Sequence, residues 1–160
     1  MTSLSPGLSR GLATAFVLAV LLLTGCDYDV PLTEKPNRAI DEKLLGNWLS
    51  PDGWMSIRAF DAQHYVVSYN GSVYRGWHST VAGQALVTLH SLDAKSPKYT
   101  YVAYALTRDD RRLDVRIARD EVLSKEIKDP AAMRTALEQV APNPALFTEP
   151  VPFTRLAWNR

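Results

Sequence analysis

The sequence predicts a mainly β domain: an antiparallel meander curled into a small barrel, with one C-terminal helix before a closing strand. Three observations carry this reading. Period-2 alternation dominates from Gly46 to Ala118, and turn signals such as Pro51-Asp52-Gly53 and Asn70-Gly71 break it at short intervals. The period becomes helical only once, after Asp129-Pro130.

Asp41 to Leu45 reads as one helical turn leading into a first strand from Gly46 to Leu49. After the Pro51–Gly53 turn comes a strand from Trp54 to Phe60, then one from His64 to Tyr69. Asn70-Gly71 is a two-residue hairpin signal, because both residues tolerate the positive φ of a type I′ turn. The chain returns through Ser72–His78, breaks at Gly83 and continues through Gln84–His90. A polar loop at Asp93–Pro97 precedes Tyr99–Leu106, and Arg108–Asp110 turns the chain into Arg111–Ala118. Asp129 is a helix N-cap with Pro130 in the first helical position. Met133, Ala136, Leu137 and Val140 recur at helical spacing until Pro142 stops the helix, and Asn143–Phe147 adds a short turn. Val151 to Trp158 closes the sheet, with Pro152 favouring an edge or strand start.

Ahead of this domain lies an uncharged apolar run, Leu12–Leu23. Its length is about 18 Å as a helix, short of the ~30 Å bilayer core, so it suits a signal segment better than a spanning anchor. The run ends in Leu23-Thr24-Gly25-Cys26, and the whole resembles the signal peptide and lipobox of bacterial lipoproteins. The resemblance implies cleavage between Gly25 and Cys26, a diacylglyceryl group on the sulfur and usually a third acyl chain, such as palmitate, on the new amino group. One acyl chain anchors marginally at ~0.8 kcal/mol per methylene, whereas two or three hold durably. The alternatives are an ordinary secretory signal cut elsewhere, or an N-terminal anchor that stays attached. Cys26 is the only cysteine, so no intrachain disulfide staples the domain.

The expected organisation is a signal peptide at 1–25, a lipidated cysteine and flexible tether at 26–41, and a single β-rich domain at 42–160. Two prolines and mixed charge give the tether its extended character, with a reach of about 20 Å. The expected location is the bacterial cell envelope, facing the periplasm. Asp27 resembles the signal that retains lipoproteins at the inner membrane of enteric bacteria, and other bacteria follow different rules, so inner and outer membrane both stay open.

Gly46-Asn47-Trp48 at the entry to the first strand is similar to the Gly-x-Trp motif of lipocalins and wider calycin barrels, as is the order of strands, helix and closing strand. The resemblance implies that Trp48 packs across a closed barrel end beneath an arginine. Arg119 is the nearest positional match and Arg155 the competitor. The family's middle Thr-Asp-Tyr motif is absent.

Composition excludes some functions. Eighteen Lys and Arg face 17 Asp and Glu, and Arg10 is the one charged residue before Cys26, so the chain from Cys26 onward is formally neutral. A nucleic-acid grip normally needs a basic excess, and no such partner is expected. His64, His78 and His90 form no metal-binding spacing, and no cofactor or metal is expected. Ser72, Ser79 and Ser91 lie near histidines in sequence without a nucleophile elbow, and Asp109-Asp110 reads as local turn chemistry. Arg112, Asp114 and Arg116 alternate against Leu113, Val115 and Ile117, which reads first as a solvated outer face with cross-strand ion pairs and alternatively as an anion or phosphate site. The aromatic group Tyr65, Tyr69, Tyr74, Trp77, Tyr99, Tyr101 and Tyr104 reads first as core packing, with ligand lining or partner contact as the alternatives.

The expected function is therefore a lipid-anchored, non-catalytic binding or interaction module, held to the membrane through Cys26. Its partner is either a small apolar ligand or an envelope protein. The alternative is an immunity protein or inhibitor of a toxin or lysozyme-like hydrolase, and an envelope enzyme comes third. Replacing Cys26→Ala is expected to leave an unprocessed, non-acylated precursor. Mass spectrometry of the membrane fraction checks this, and normally acylated mature protein from the mutant refutes it.

Overall fold

The computed structural model describes residues 27–157; Gly25, Cys26 and the rest of 1–26, together with Trp158 and the two residues after it, lie outside the described residues. Eight antiparallel strands close into a barrel in sequence order. They are β1 (Gly46–Ser50), β2 (Gly53–Ala59), β3 (His64–Tyr69), β4 (Ser72–Val81), β5 (Gln84–Ser91), β6 (Tyr99–Leu106), β7 (Arg112–Ile117) and β8 (Val151–Arg155). The expected barrel, with one helix α1 (Pro130–Val140) before the closing strand, is what forms.

Local chemistry sets the turns. Asn70 and Gly71 both take positive φ, as a two-residue I′ hairpin requires. Gly53 has φ +149°, and a Cβ there would meet the Asn70 side chain, whose amide donates to the Asp52 carbonyl. The β1–β2 and β3–β4 hairpin tips are thus interlocked. Strand β4 runs three residues beyond the expected His78, because Ser79 and Thr80 look polar in sequence although Ser79 is buried. Ala82 and Gly83, both at positive φ, then turn the chain into β5. Pro152 occupies the second position of β8, ahead of the only two residues, Thr154 and Arg155, that pair with β1. The proline ring therefore meets β1 nowhere in the seam.

Two cores result from strands buried on both faces. Inside the barrel lie Trp48, Met55, Ile57, Tyr65, Val67, Leu113 and Phe153, capped by Leu44 from the 3₁₀ turn Glu42–Leu44. A second core covers the outer face of β4–β6, where Val81, Leu86 and Tyr101 pack against Met133 and Leu137 of α1, Leu123 and Leu146. Asp129 caps α1 by accepting from the Ala132 amide at 2.7 Å.

The third partner in that outer core corrects the reading of 26–41 as a flexible tether. Tyr28, Val30 and Leu32 are buried in it. Tyr28 exchanges two 2.8 Å backbone hydrogen bonds with Tyr99, stacks on Tyr101 with centroids 4.3 Å apart, and donates its hydroxyl to the Leu123 carbonyl. Lys98 and Lys128 grip Asp29 at 2.5 Å each, holding its carboxyl down to about 2. The segment then continues along the outer wall, where the Asn37 amide donates to the His78 carbonyl, and the Ile40 amide to the Ala62 carbonyl. Residues 27–41 are thus a strap that runs from the barrel end bearing the β1–β2, β3–β4 and β5–β6 hairpins to the opposite end. Apolar residues at alternate positions give it a face worth burying, which outweighs the entropy that a free tether would keep.

Among the described residues, no helix is long and apolar enough to cross a membrane. Replacing Tyr28→Ala removes the stack and the Leu123 bond and is expected to destabilise the domain by roughly 3–5 kcal/mol. Chemical denaturation of the purified domain checks this; a loss below about 1 kcal/mol, the scale of an ordinary surface substitution, would mean that the strap is not part of the fold.

Candidate functional site

The closed end of the barrel is built around Arg155. Its guanidinium lies 4.2 Å above the Trp48 ring centroid. It donates from Nε to the Asp110 carbonyl at 2.7 Å, from one terminal nitrogen to Leu45 at 2.6 Å, and from the other to the Lys43 carbonyl. The Trp48 indole donates to the Leu44 carbonyl at 2.9 Å. Gly46, at φ +146°, is needed because a Cβ there would come within 2.8 Å of Arg155. The Gly-x-Trp pattern thus has a steric reason in this chain. Its arginine is Arg155, not Arg119, whose guanidinium instead pairs with the exposed Glu121 at 3.4 Å. Sequence position favoured Arg119; the closing of β8 onto β1 brings Arg155 across the ring instead.

Just inside this end sits a buried polar chain. The Asp41 amide donates to the Tyr65 hydroxyl, and that hydroxyl lies 2.8 Å from His78 Nε2. The Tyr65 hydroxyl thus links the Asp41 backbone to the His78 ring, with the direction of the Tyr65–His78 bond set by the histidine tautomer. Nδ1 is buried and has no hydrogen-bond partner. Burial lowers the His78 pKa from 6.5, helped by Arg38 and opposed by Asp41 and the Leu86 backbone. Burial likewise pushes the Tyr65 and Tyr104 hydroxyls upward. Tyr104 packs beside His78, ring centroids 5.8 Å apart.

The three histidines part company. His78 points into the barrel, while His64 and His90 lie on the outer wall, each paired across strands with Trp77 and with Arg75 and Tyr99 respectively. Ser79 faces away from His78, bonded to Thr33 at 2.7 Å and Thr88 at 3.3 Å, so the two make no catalytic pair. Ser72 and Ser91 face the lumen side of their strands, opposite Tyr69 and Tyr74. Asp109 bonds Thr107 and the Arg111 amide within its turn. Arg112 pairs with Asp114 of the same strand at 2.8 Å, not across strands as expected, and Arg116 lies over the Phe147 ring. Among the described residues, no three His, Cys, Asp or Glu side chains converge as a metal site.

On the outer wall, the strap and strands enclose a groove of about 440 Å³ lined by Glu34, Lys35, Pro36, Gln63, His64, Arg75, Trp77 and His90. This is within the size range of small-ligand sites. Trp77 is its floor: its indole donates to the Thr33 carbonyl at 3.3 Å, and its ring meets His64 and Tyr99 edge-on. His90 stacks on Tyr99 at 4.9 Å. His64 Nδ1 is held 2.9 Å from the Asp61 carboxylate. Arg75 lies 5.3 Å from the Phe60 ring centre and pairs with no carboxylate among the described residues, and its buried Nε has no partner. The groove therefore presents a guanidinium without a close ion pair beside two imidazoles, with Glu34 and Lys35 on its strap side. Nothing in sequence spacing announces it, because its members span residues 34 to 90 and meet only when the strap lies down across β3–β5.

The geometry defines a closed eight-stranded barrel with a packed lumen, a tryptophan–arginine end closure and a polar groove on its outside. Comparison with protein-family models, curated proteins and solved structures finds no match to this chain.

His78 gives a signed pH prediction. Its folded pKa is depressed, so the unfolded chain binds the extra proton first. Stability is complete above about pH 6.5 and falls as the pH drops below the ordinary histidine value. The His78→Gln variant is expected to flatten that acid limb in thermal denaturation measured at a series of pH values; an unchanged slope would assign the pH dependence elsewhere.

Proposed function

We propose that the protein is a lipid-anchored, non-catalytic binding module of the bacterial cell envelope, recognising an anionic group of its partner in the outer groove. The observation that carries the site is Arg75, which lines the groove with no carboxylate of the described residues within ion-pair distance, Glu34 being the groove's one acidic residue. A carboxylate or phosphate of a ligand or protein is the group whose charge and fork geometry match it. Bulky side chains in the lumen, among them Trp48, Tyr65 and Phe153, support recognition on the wall. The polar character of the groove supports a charged partner over a small apolar molecule. The address rests on Leu23-Thr24-Gly25-Cys26.

An inhibitor or immunity protein would use the same kind of surface, engaging an acidic side chain of its target. The test starts from a soluble form beginning at Asp27, which keeps the strap. Native mass spectrometry after exposure to an envelope extract identifies the retained ligand or protein. Replacing Arg75→Ala is then expected to weaken its binding by about tenfold or more, the weight of one charge-assisted bond. Binding unaffected by Arg75→Ala moves the site elsewhere, and residue-dependent turnover of an envelope substrate overturns the non-catalytic reading.

A further inference from the structure

We infer that the barrel stands on the lipid surface with the end bearing the β1–β2, β3–β4 and β5–β6 hairpins downward, Trp54 and Leu49 entering the headgroup region on one side and Leu92 on the other. The inference rests on the proposed acylation of Cys26 and adds to it a surface and an orientation.

The strap makes the orientation definite. A flexible tether would leave the barrel free to tumble above the membrane. Instead the chain is fixed to the barrel from its first described residues: Asp27 accepts from Thr100 at 3.3 Å, and Tyr28 is bonded twice to Tyr99. Tyr99 opens β6, at the hairpin end of the barrel. Asp27 follows Cys26 directly in the sequence, so the acylation proposed above would tether the barrel at this rim.

The same end carries the apolar surface that a membrane contact needs. Five large hydrophobic side chains are exposed among the described residues: Leu49, Trp54, Phe60, Leu92 and Leu156. Three of them sit at the hairpin end. Leu49 and Trp54 are cross-strand partners beside the β1–β2 turn, about half exposed each, and Leu92 begins the β5–β6 loop at 52 % exposed. In a closed barrel of eight strands in sequence order, β1–β2 lies across the mouth from β5–β6. A plane touching both sides therefore stands the barrel on end. Tryptophan favours the headgroup level, where its ring is buried and its N–H stays wet. Lys95, exposed in the Leu92 loop, supplies a cation for headgroup phosphates. Asp52 at the β1–β2 tip limits the depth to that level. Phe60 lies at the far end of β2, about 20 Å from Trp54 along the strand.

The experiment uses the full acylated chain reconstituted in phosphatidylethanolamine–phosphatidylglycerol vesicles containing a nitroxide-labelled lipid. Acylation blocks Cys26, so a single cysteine introduced by Trp54→Cys, Leu92→Cys, Phe60→Cys or Leu156→Cys carries a fluorophore alone. All four sites are exposed, so the fold tolerates the change. The expected result is loss of fluorescence at positions 54 and 92 and none at 60 and 156. Acylated protein that floats with the vesicles but is quenched at 60 or 156, at 92 alone, or at no site overturns the orientation while leaving the anchor intact. Absence of acyl mass on the N-terminal peptide overturns the anchoring and the orientation together.

Discussion

Everything in this barrel hangs on the Arg155 guanidinium. The seam between β1 and β8 consists of only two residue pairs, too few to close a cylinder firmly by backbone bonding alone. Arg155 adds what the ladder lacks. It covers Trp48, a contact worth up to ~2 kcal/mol when desolvated. It also ties together two carbonyls of the 3₁₀ turn and its C-cap, Lys43 and Leu45, with the Asp110 carbonyl of the β6–β7 turn. Closing the seam removes the last open sheet edge, and with it the tendency of such edges to pair with other chains.

The strand order was legible because alternation is strong wherever one face is wet, as in β7, where Arg112, Asp114 and Arg116 face out. Legibility failed where a second layer covers the outer wall. There β4 is buried on both faces at His78 and Ser79, alternation disappears, and the strand outruns its sequence signal. The strap's packing is masked in sequence by its proline. Tyr28, Val30 and Leu32 do alternate with Asp29, Pro31 and Thr33, a strand-like signal interrupted by a proline. Arg119 and Arg155 show a different limit: both stand at plausible distances along the chain, and only the register of the closing strand decides between them. The groove has no local signature at all, because strap and strands contribute one or two residues each from distant positions.

The two cores divide the labour of the molecule. The inner one fills the lumen with Trp48, Tyr65 and Phe153, giving a rigid cylinder. The outer one binds the strap and α1 to one side of that cylinder, and the strap's edge forms a wall of the groove. Shape for recognition thus arises from what is laid over the barrel. The sheet itself supplies Arg75, Trp77, His64 and His90 in fixed register, so their spacing follows from strand pairing rather than from loop conformation.

The position of the Tyr28–Tyr99 bridge has a mechanical meaning. A pull on the N-terminal end of the chain loads the strap's contacts one after another, beginning at Tyr28, because the strap leaves the barrel wall progressively from one end to the other. Bonds arranged in series under such a peeling load give way at far lower force than bonds sheared together. The peel stops where Arg155 holds the Lys43 and Leu45 carbonyls. By then residues 27–41 have become an extended line of about 50 Å, at roughly 3.3–3.6 Å per residue. The same fifteen residues would thus be a fixed strap at rest and an extended leash under tension.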